Sequence, residues 1–158
     1  MKISGLILLI FCCNLSLFSQ SKKEVKKFKI KSSSVVITED GKTLNESKVT
    51  YDSNGNITEK IEYTKEGQIK STHKIKYNSN GDDIEENQYD GTNKLFEKTI
   101  TKYNINGDKI EESIFDGAGK LTKKHTYTYD TKGLKSERKT LDATGKIIST
   151  KVHTYSFK

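Results

Sequence analysis

The sequence predicts an all-β fold: an antiparallel meander of about ten strands in one largely single-layered, twisted sheet. Three observations lead to this prediction: a repeat of 26 residues, glycines at fixed places in each repeat, and lysine-rich segments that alternate with glutamate-rich ones. The repeat is clearest in YDSNGNITEKIEY (51–63), YNSNGDDIEENQY (77–89) and YNINGDKIEESIF (103–115). Internal repeats on this scale indicate the class of fold before any finer interpretation.

Residues 1–19 are predicted to be a signal peptide rather than part of the fold. One lysine precedes an apolar run over 6–18, which closes on small and polar residues, with cleavage expected near Ser19. The run is too short to span a bilayer, so the mature chain is expected to have no transmembrane segment; a retained membrane anchor is the alternative. Cys12 and Cys13 both lie in this segment, so the mature chain would contain no disulfide and no reactive thiol.

Residues 20–31 are predicted to be a basic leader, and no helix pattern appears in them or further along the chain. The stretch SKKEVKKFKIK (21–31) holds six lysines and one glutamate, whereas basic and acidic side chains nearly balance over 32–158. Nucleic acid is therefore not an expected partner. The leader would either be a solvated arm or contact an acidic surface.

Residues 32–158 are predicted to form the β-repeat domain, and each repeat consists of two similar halves. A large residue is followed by Asp or Asn, two variable residues, a glycine, one or two polar residues and then an aliphatic residue, as in YDSNGNI (51–57). Asp or Asn opens a turn by hydrogen bonding to its own backbone, and glycine supplies the left-handed conformation that closes a hairpin loop. The segments between turns alternate with a period of two, as strands do. The predicted strands are 32–37, 44–51, 57–63, 69–77, 84–89, 95–103, 110–115, 121–129, 134–141 and 147–155.

The pattern of charge distinguishes two topologies with this period. A parallel β-helix would stack Glu85 on Glu111, one repeat apart, as like charges. A meander instead places the lysine-rich segment 69–77 beside the glutamate-rich segment 84–89, which stabilises the sheet by up to about 1 kcal/mol per pair. We therefore predict the meander, with the β-helix as the alternative. Apolar residues lie near the strand ends and polar ones at the middles, which favours a single sheet over a sandwich.

The segments YTYDTKGL (127–134), YDSNGNI (51–57) and FDGAGKL (115–121) resemble the tyrosine–aspartate repeat of the RHS family, and the resemblance runs over 37–158. It implies β-strand shells, carbohydrate binding, and a role at cell surfaces or in contact-dependent toxins. A weaker resemblance is to MORN-variant repeats, which are also hairpins marked by glycine and tyrosine.

A row of tyrosines is the best candidate for a ligand-binding site. Five of them recur every 26 residues and would form an aromatic stripe along one margin of the sheet: Tyr51, Tyr77, Tyr103, Tyr129 and Tyr155. Such rings can stack on sugars or accept a protein partner. The alternative interpretation is that the tyrosines seal the hairpins.

No catalytic residue, metal ligand or cofactor is predicted from the sequence. His73 and His125 share a repeat position but would lie four strands apart, too far for one metal ion. Asn78, Asp82 and Asp83 form the one loop to test for calcium, although a turn role already explains these residues. The sequence also shows no nucleophile with its base and no phosphate loop, so an enzyme is not expected.

The sequence therefore predicts an exported, non-catalytic repeat protein, secreted, periplasmic or in the cell envelope. It would serve as a binding or structural surface for a carbohydrate or a protein at the cell surface. Open sheet edges would also allow edge-to-edge self-association. The alternative, which rests on the RHS resemblance, is an accessory or neutralising factor of a toxin system.

Overall fold

A computed structural model describes residues 20–158, which form one antiparallel sheet of ten strands and one short helix. The predicted signal peptide lies outside the described residues. Within 20–158 no helix has the length and hydrophobicity needed to cross a bilayer. The elements are α1 (Lys22–Phe28), β1 (Ser32–Glu39), β2 (Lys42–Tyr51), β3 (Ile57–Tyr63), β4 (Ile69–Tyr77), β5 (Asp83–Asp90), β6 (Leu95–Tyr103), β7 (Lys109–Asp116), β8 (Leu121–Tyr129), β9 (Lys135–Asp142) and β10 (Ile147–Val152).

The predicted meander is confirmed, because the strands follow one another across the sheet in chain order and each pair is antiparallel. The β-helix alternative is excluded by the same pairing. Four predicted strands coincide with the observed β3, β4, β6 and β8. The largest difference is at β10, which ends at Val152; beyond it the pairing is reduced to a hydrogen bond from the His153 N–H to the Ser136 carbonyl.

The hairpin turns have the geometry that the Asx–glycine pattern predicts. After β2, the Asp52 carboxylate accepts hydrogen bonds from the backbone N–H groups of Asn54 and Asn56, both at 2.8 Å. Gly55 completes the turn in the left-handed region, with φ +77°, and Asn93 takes the same role at +62° in the turn after β5. A shift of register beside each of these turns identifies them as bulged hairpin loops.

The basic leader contains a helix, so the prediction of a helix-free leader is wrong. α1 begins with a capping box, in which Ser21 and Glu24 each accept a hydrogen bond from the other's backbone N–H. Its one buried side chain, Val25, is 1% exposed and packs against Val49 and Tyr51 on β2. A single valine among lysines shows no helical periodicity, and its docking site is created only when β2 is in place.

Hydrophobic burial in the described residues is sparse and local, consistent with a single-layered sheet. The buried hydrophobic side chains are Val25, Val49, Tyr51, Ile114 and Tyr127. Some threonine, serine and asparagine residues are buried as well, and lysine and glutamate side chains lie along the strands. The aliphatic stems of such long side chains can cover a sheet face while their charged ends stay in water.

Ion pairs between neighbouring strands follow the predicted alternation of charge. Lys76 Nζ on β4 lies 2.8 Å from the Glu85 carboxylate on β5, and Lys98 Nζ on β6 approaches the same carboxylate at 3.1 Å. One repeat later, Lys102 Nζ lies 2.9 Å from the Glu111 carboxylate, and Lys124 Nζ approaches it at 3.2 Å. A carboxylate held between two ammonium groups thus occurs in two consecutive repeats.

We expect Glu85→Gln to lower the free energy of unfolding at pH 7 by about 1 kcal/mol. Hydrogen bonds from Lys76, Asn87 and Lys98 outweigh the effect of burial and lower the pKa of Glu85 to about 2. A carboxyl group with a lowered pKa stabilises the fold above its unfolded-state pKa of about 4.3. This contribution is lost as the pH falls from there through 2.

Urea unfolding at pH 7 and at several values between pH 2 and 5 measures this effect. The difference in free energy of unfolding between the wild type and Glu85→Gln should shrink as the pH falls, because the wild-type carboxyl group is then protonated and neutral, like the glutamine. Glu39→Gln, at an exposed position on β1, is the control. Equal losses in the two variants at pH 7 would contradict the role given to the ion pairs.

Candidate functional site

The five predicted tyrosines lie along one margin of the sheet. Four of them are the last residues of even-numbered strands, and the fifth continues the series just after β10: Tyr51, Tyr77, Tyr103, Tyr129 and Tyr155. All even-numbered strands run in the same direction, so their ends meet at the same margin. The structure therefore brings the predicted residues into one row, which we call the tyrosine margin.

Four hydroxyl groups of the tyrosine margin make the same internal hydrogen bond. The Tyr77 hydroxyl donates to the backbone carbonyl of Ile57, at 2.8 Å and 20 residues earlier in the chain. Ile57 begins the preceding strand, so the bond joins the end of one strand to the start of its neighbour. Equivalent bonds of 3.1, 2.8 and 2.8 Å join Tyr103 to Asp83, Tyr129 to Lys109 and Tyr155 to Lys135. The hydroxyls thus seal the hairpins, while the rings extend along the margin.

Exposure of the rings differs along the row. Tyr51 is 7% exposed beneath α1, and its hydroxyl lies 3.2 Å from Ser33 Oγ. A ligand cannot reach this ring while α1 is docked. The next three tyrosines are half-buried, and Tyr155 is 46% exposed. The accessible part of the tyrosine margin therefore runs from Tyr77 to Tyr155.

Burial and nearby carboxylates raise the pKa of two tyrosines within the row, Tyr77 and Tyr103. Burial, and then the charges of Asp83 and Asp52, raise the pKa of Tyr77 to about 12. Burial also raises the pKa of Tyr103, whose hydroxyl donates a hydrogen bond to the Asp83 carboxylate as well as to its carbonyl. At neutral pH these groups act as hydrogen-bond donors and not as nucleophiles or bases.

A second polar cluster, on β7 and β8, gives no signal in the repeat pattern. The Glu112 carboxylate accepts hydrogen bonds from Lys109 Nζ, at 2.8 Å, and from the Tyr127 hydroxyl. Burial opposes ionisation here, but the two hydrogen bonds outweigh it and lower the pKa of Glu112. Tyr127 is 9% exposed, and Lys135 Nζ lies 4.6 Å from its ring centroid. Because the previous repeat has Thr101 at this position, only a repeat-by-repeat comparison could have singled out this tyrosine.

The two histidines that share a repeat position lie on β4 and β8, the strand separation that the repeat predicts. His73 Nδ1 is 3.0 Å from the Glu86 carboxylate, and His125 Nδ1 is 3.0 Å from Thr140 Oγ1. Burial, followed by the charge of Arg138, lowers the pKa of His125. Among residues 20–158, no three His, Cys, Asp or Glu side chains are grouped so that they could hold a metal ion.

The turn predicted as the place to test for calcium uses its oxygen atoms internally. The Asn78 side chain accepts a hydrogen bond from the Asp82 N–H at 2.9 Å and donates one to the Asp82 carboxylate at 3.0 Å. The Asp83 carboxylate accepts from the Tyr103 hydroxyl. The turn therefore accounts for Asn78 and Asp82, whereas Asp83 begins β5 and its carboxylate binds a side chain of β6.

A shallow groove of about 190 Å³ lies at the opposite margin, where β1, β2 and β3 meet. Ligand pockets usually enclose about 300–1,000 Å³, so this groove is small for a substrate. Its lining residues are Ile37, Glu39, Leu44, Asn45, Glu46, Tyr63, Thr64 and Lys65.

Solved structures resemble this chain in part and at low sequence identity. A porin-like protein from Bacteroides uniformis is 18% identical over 79% of this chain and 50% of that one, with a TM-score of 0.45. A protein with unknown function from Bacteroides fragilis is 14% identical over 77% of this chain and 91% of that one, with a TM-score of 0.42. TarM is 16% identical over 84% of this chain and 24% of its own, with a TM-score of 0.32. These TM-scores are too low for the likenesses to indicate function or catalysis, and the chain spans only half of the porin-like protein.

No curated protein matches the sequence. One family model matches residues 27–154, which include all ten strands and the end of α1. The chain therefore belongs to the family whose model, described as "Uncharacterised protein", covers this sheet.

Proposed function

We propose that the protein is an exported, non-catalytic repeat protein whose sheet serves as a binding surface in the cell envelope or outside the cell. The tyrosine margin is the observation that carries this proposal. Its rings are fixed by hydroxyl bonds to neighbouring strands, yet those from Tyr77 to Tyr155 remain partly exposed. A ring that is already fixed loses little conformational freedom on binding, so stacking on a ligand costs less entropy.

A ligand that is itself a chain suits this spacing of rings. Equivalent tyrosines lie two strands apart, which places successive rings about 10 Å from one another. A polysaccharide or an extended polypeptide could contact several rings at once, and weak contacts combine when they are linked. The Asp83 carboxylate, which accepts a hydrogen bond from the Tyr103 hydroxyl, places negative charge beside the row, and this disfavours the phosphates of nucleic acid. We favour a carbohydrate, in agreement with the RHS resemblance, with a surface protein as the other candidate.

Three features support a non-catalytic role. Burial and neighbouring carboxylates keep the Tyr77 and Tyr103 hydroxyls protonated. His73 and His125 each contact a side chain on a neighbouring strand. The groove beside β1 is small for a substrate. The predicted signal peptide supports the exported location.

A glycan array and a pull-down with cell-surface extract test the proposal, followed by titration of any ligand found. Changing Tyr103, Tyr129 and Tyr155 together to leucine removes three rings and should weaken binding at least tenfold, because each aromatic contact contributes about 0.5–1.5 kcal/mol. The matched triple change to phenylalanine removes the hydroxyls and keeps the rings, so it should bind more tightly than the leucine variant and lose only the contribution that comes from fixing the rings. Circular dichroism checks that both variants keep the sheet. Failure to find any partner, or wild-type binding by the leucine variant, would refute the proposal.

A second candidate is an accessory or neutralising factor of a toxin system. It rests on the resemblance of YTYDTKGL (127–134) and its counterparts to RHS repeats. Neighbouring genes distinguish the two candidates, because a toxin gene next to this one would favour the second. A solitary gene, or one beside polysaccharide genes, would favour the binding surface.

A further inference from the structure

The two edge strands are the least charged strands of the sheet. β1 has one charged residue, Glu39, and β10 has one, Lys151, whereas each interior strand has between two and five. Sheet proteins commonly do the reverse, because charges on an edge strand prevent it from pairing with another chain. The distribution of charge here leaves both edges open to pairing.

Both edges also expose β-branched residues. Every residue of β10 is exposed, and Val152 reaches 70%. On β1, Val36 is 54% exposed, and Ile37 beside it is exposed too. Valine, isoleucine and threonine are strong strand formers, so these edges have the composition of strands that pair.

The repeat indicates that the free edge of β10 fits the free edge of β1. β10 corresponds to β2, β4, β6 and β8, each of which pairs with odd-numbered strands on both sides. In residues 20–158, β10 pairs with β9 alone, and β1 pairs with β2 alone. β1 is of the odd-numbered kind, since Ile37 belongs to the series of Tyr63, Tyr89, Phe115 and Leu141. The neighbour that β10 lacks is therefore of the kind that β1 represents.

We propose that β10 of one copy pairs antiparallel with β1 of a second copy, so that copies extend one sheet head to tail. This interface uses different strands from the two copies, so it adds copies without closing on itself. Glu39 and Lys151 have opposite charges, so the two edges do not repel each other. The proposal does not depend on the tyrosine margin or on any ligand.

The ladder pattern shows which backbone groups would form this interface. In an antiparallel pair every second residue bonds to a given neighbour. The His153 N–H donates to β9, so the Thr150 N–H, three residues earlier, points to the free edge. The Lys31 carbonyl accepts a hydrogen bond from β2, so the Ser34 N–H points to the free edge of β1.

Proline at either position removes an outward N–H and leaves the inner ladder bonds in place, which edge strands tolerate. Sedimentation velocity of the purified protein over a wide range of concentration should show wild-type species that grow with concentration. Thr150→Pro and Ser34→Pro should each be monomeric, with association weakened at least tenfold. An equimolar mixture should form a dimer that grows no further, because one variant keeps a free β1 edge and the other a free β10 edge.

Four results would overturn the proposal. These are a monomeric wild type at all concentrations, a mixture that stays monomeric, a Ser34→Pro dimer formed through two β10 edges, or a Thr150→Pro dimer formed through two β1 edges. Should circular dichroism show that a proline variant has lost the sheet, Ser34→Lys and Thr150→Lys take the place of the proline variants, since edge lysines also block pairing.

Discussion

Replacing Val25 with aspartate should detach α1 from the sheet and expose Tyr51. Val25 is almost completely buried against Val49 and Tyr51. Burying a valine side chain contributes about 1.5–3 kcal/mol to the free energy of docking. Burying an unpaired carboxylate at this place would cost more free energy than docking of the helix contributes. A helix of seven residues is not stable alone in water, so α1 should unfold when it detaches.

The free energy of unfolding in urea should fall by about 1.5–3 kcal/mol, the value of the lost burial. Trypsin should also cleave faster at the lysines of α1, while β4 to β10 keep their protection from hydrogen exchange. Phe28→Asp is the matched control, because it makes the same change of charge at an exposed position of the same helix. If the two variants lose equal stability, packing of Val25 is not what holds the leader on the sheet.

Tyr127→Ala should have the largest effect of any single change on the sheet itself, a loss of about 3–5 kcal/mol. The Tyr127 ring is among the few buried hydrophobic groups, and its hydroxyl is one of two donors to the Glu112 carboxylate. Removing the side chain leaves a cavity and withdraws a hydrogen bond from a partly buried charge, whose other donor is Lys109. Calorimetry and urea unfolding measure the loss.

Two variants separate these contributions. Tyr155→Ala removes another tyrosine, but an exposed one, so it should lower the free energy of unfolding by only about 1 kcal/mol, the value of one hydrogen bond. Tyr127→Phe keeps the ring and removes the donor, so the lowered pKa of Glu112 should rise toward its ordinary value. Because Glu112 stabilises the fold above its unfolded-state pKa, this variant should lose part of its stability at neutral pH and depend less on pH below about 4.3. A loss for Tyr127→Ala no greater than for Tyr155→Ala would contradict the packing role.

The hairpins, their order and the ion pairs could be predicted because each depends on residues close in sequence. Asp52 and Gly55 determine a turn by themselves, and pairing consecutive strands then brings Lys76 beside Glu85. The docking of α1 could not be predicted, since it depends on one valine meeting a surface built by β2. The sequence suggests as an alternative that the tyrosines seal the hairpins, but not which carbonyl each hydroxyl binds, since the partners are 20 residues apart in the chain.

The bond from Glu112 to Tyr127 joins neighbouring strands, but it depends on side-chain positions that a repeat pattern does not carry. The sequence thus indicates the row of tyrosines as a candidate site, while the structure shows which rings a ligand can reach. Tyr51 belongs to the row by its spacing, yet the basic leader covers it.

The order of the strands has a consequence for how such proteins evolve. Within the part of the chain that the structure describes, 20–158, every strand bonds only to the strands before and after it. A tandem duplication or deletion of one unit would therefore add or remove two strands and leave all remaining contacts as they were. The number of strands can therefore differ between descendants of one ancestor while the architecture of the sheet stays the same.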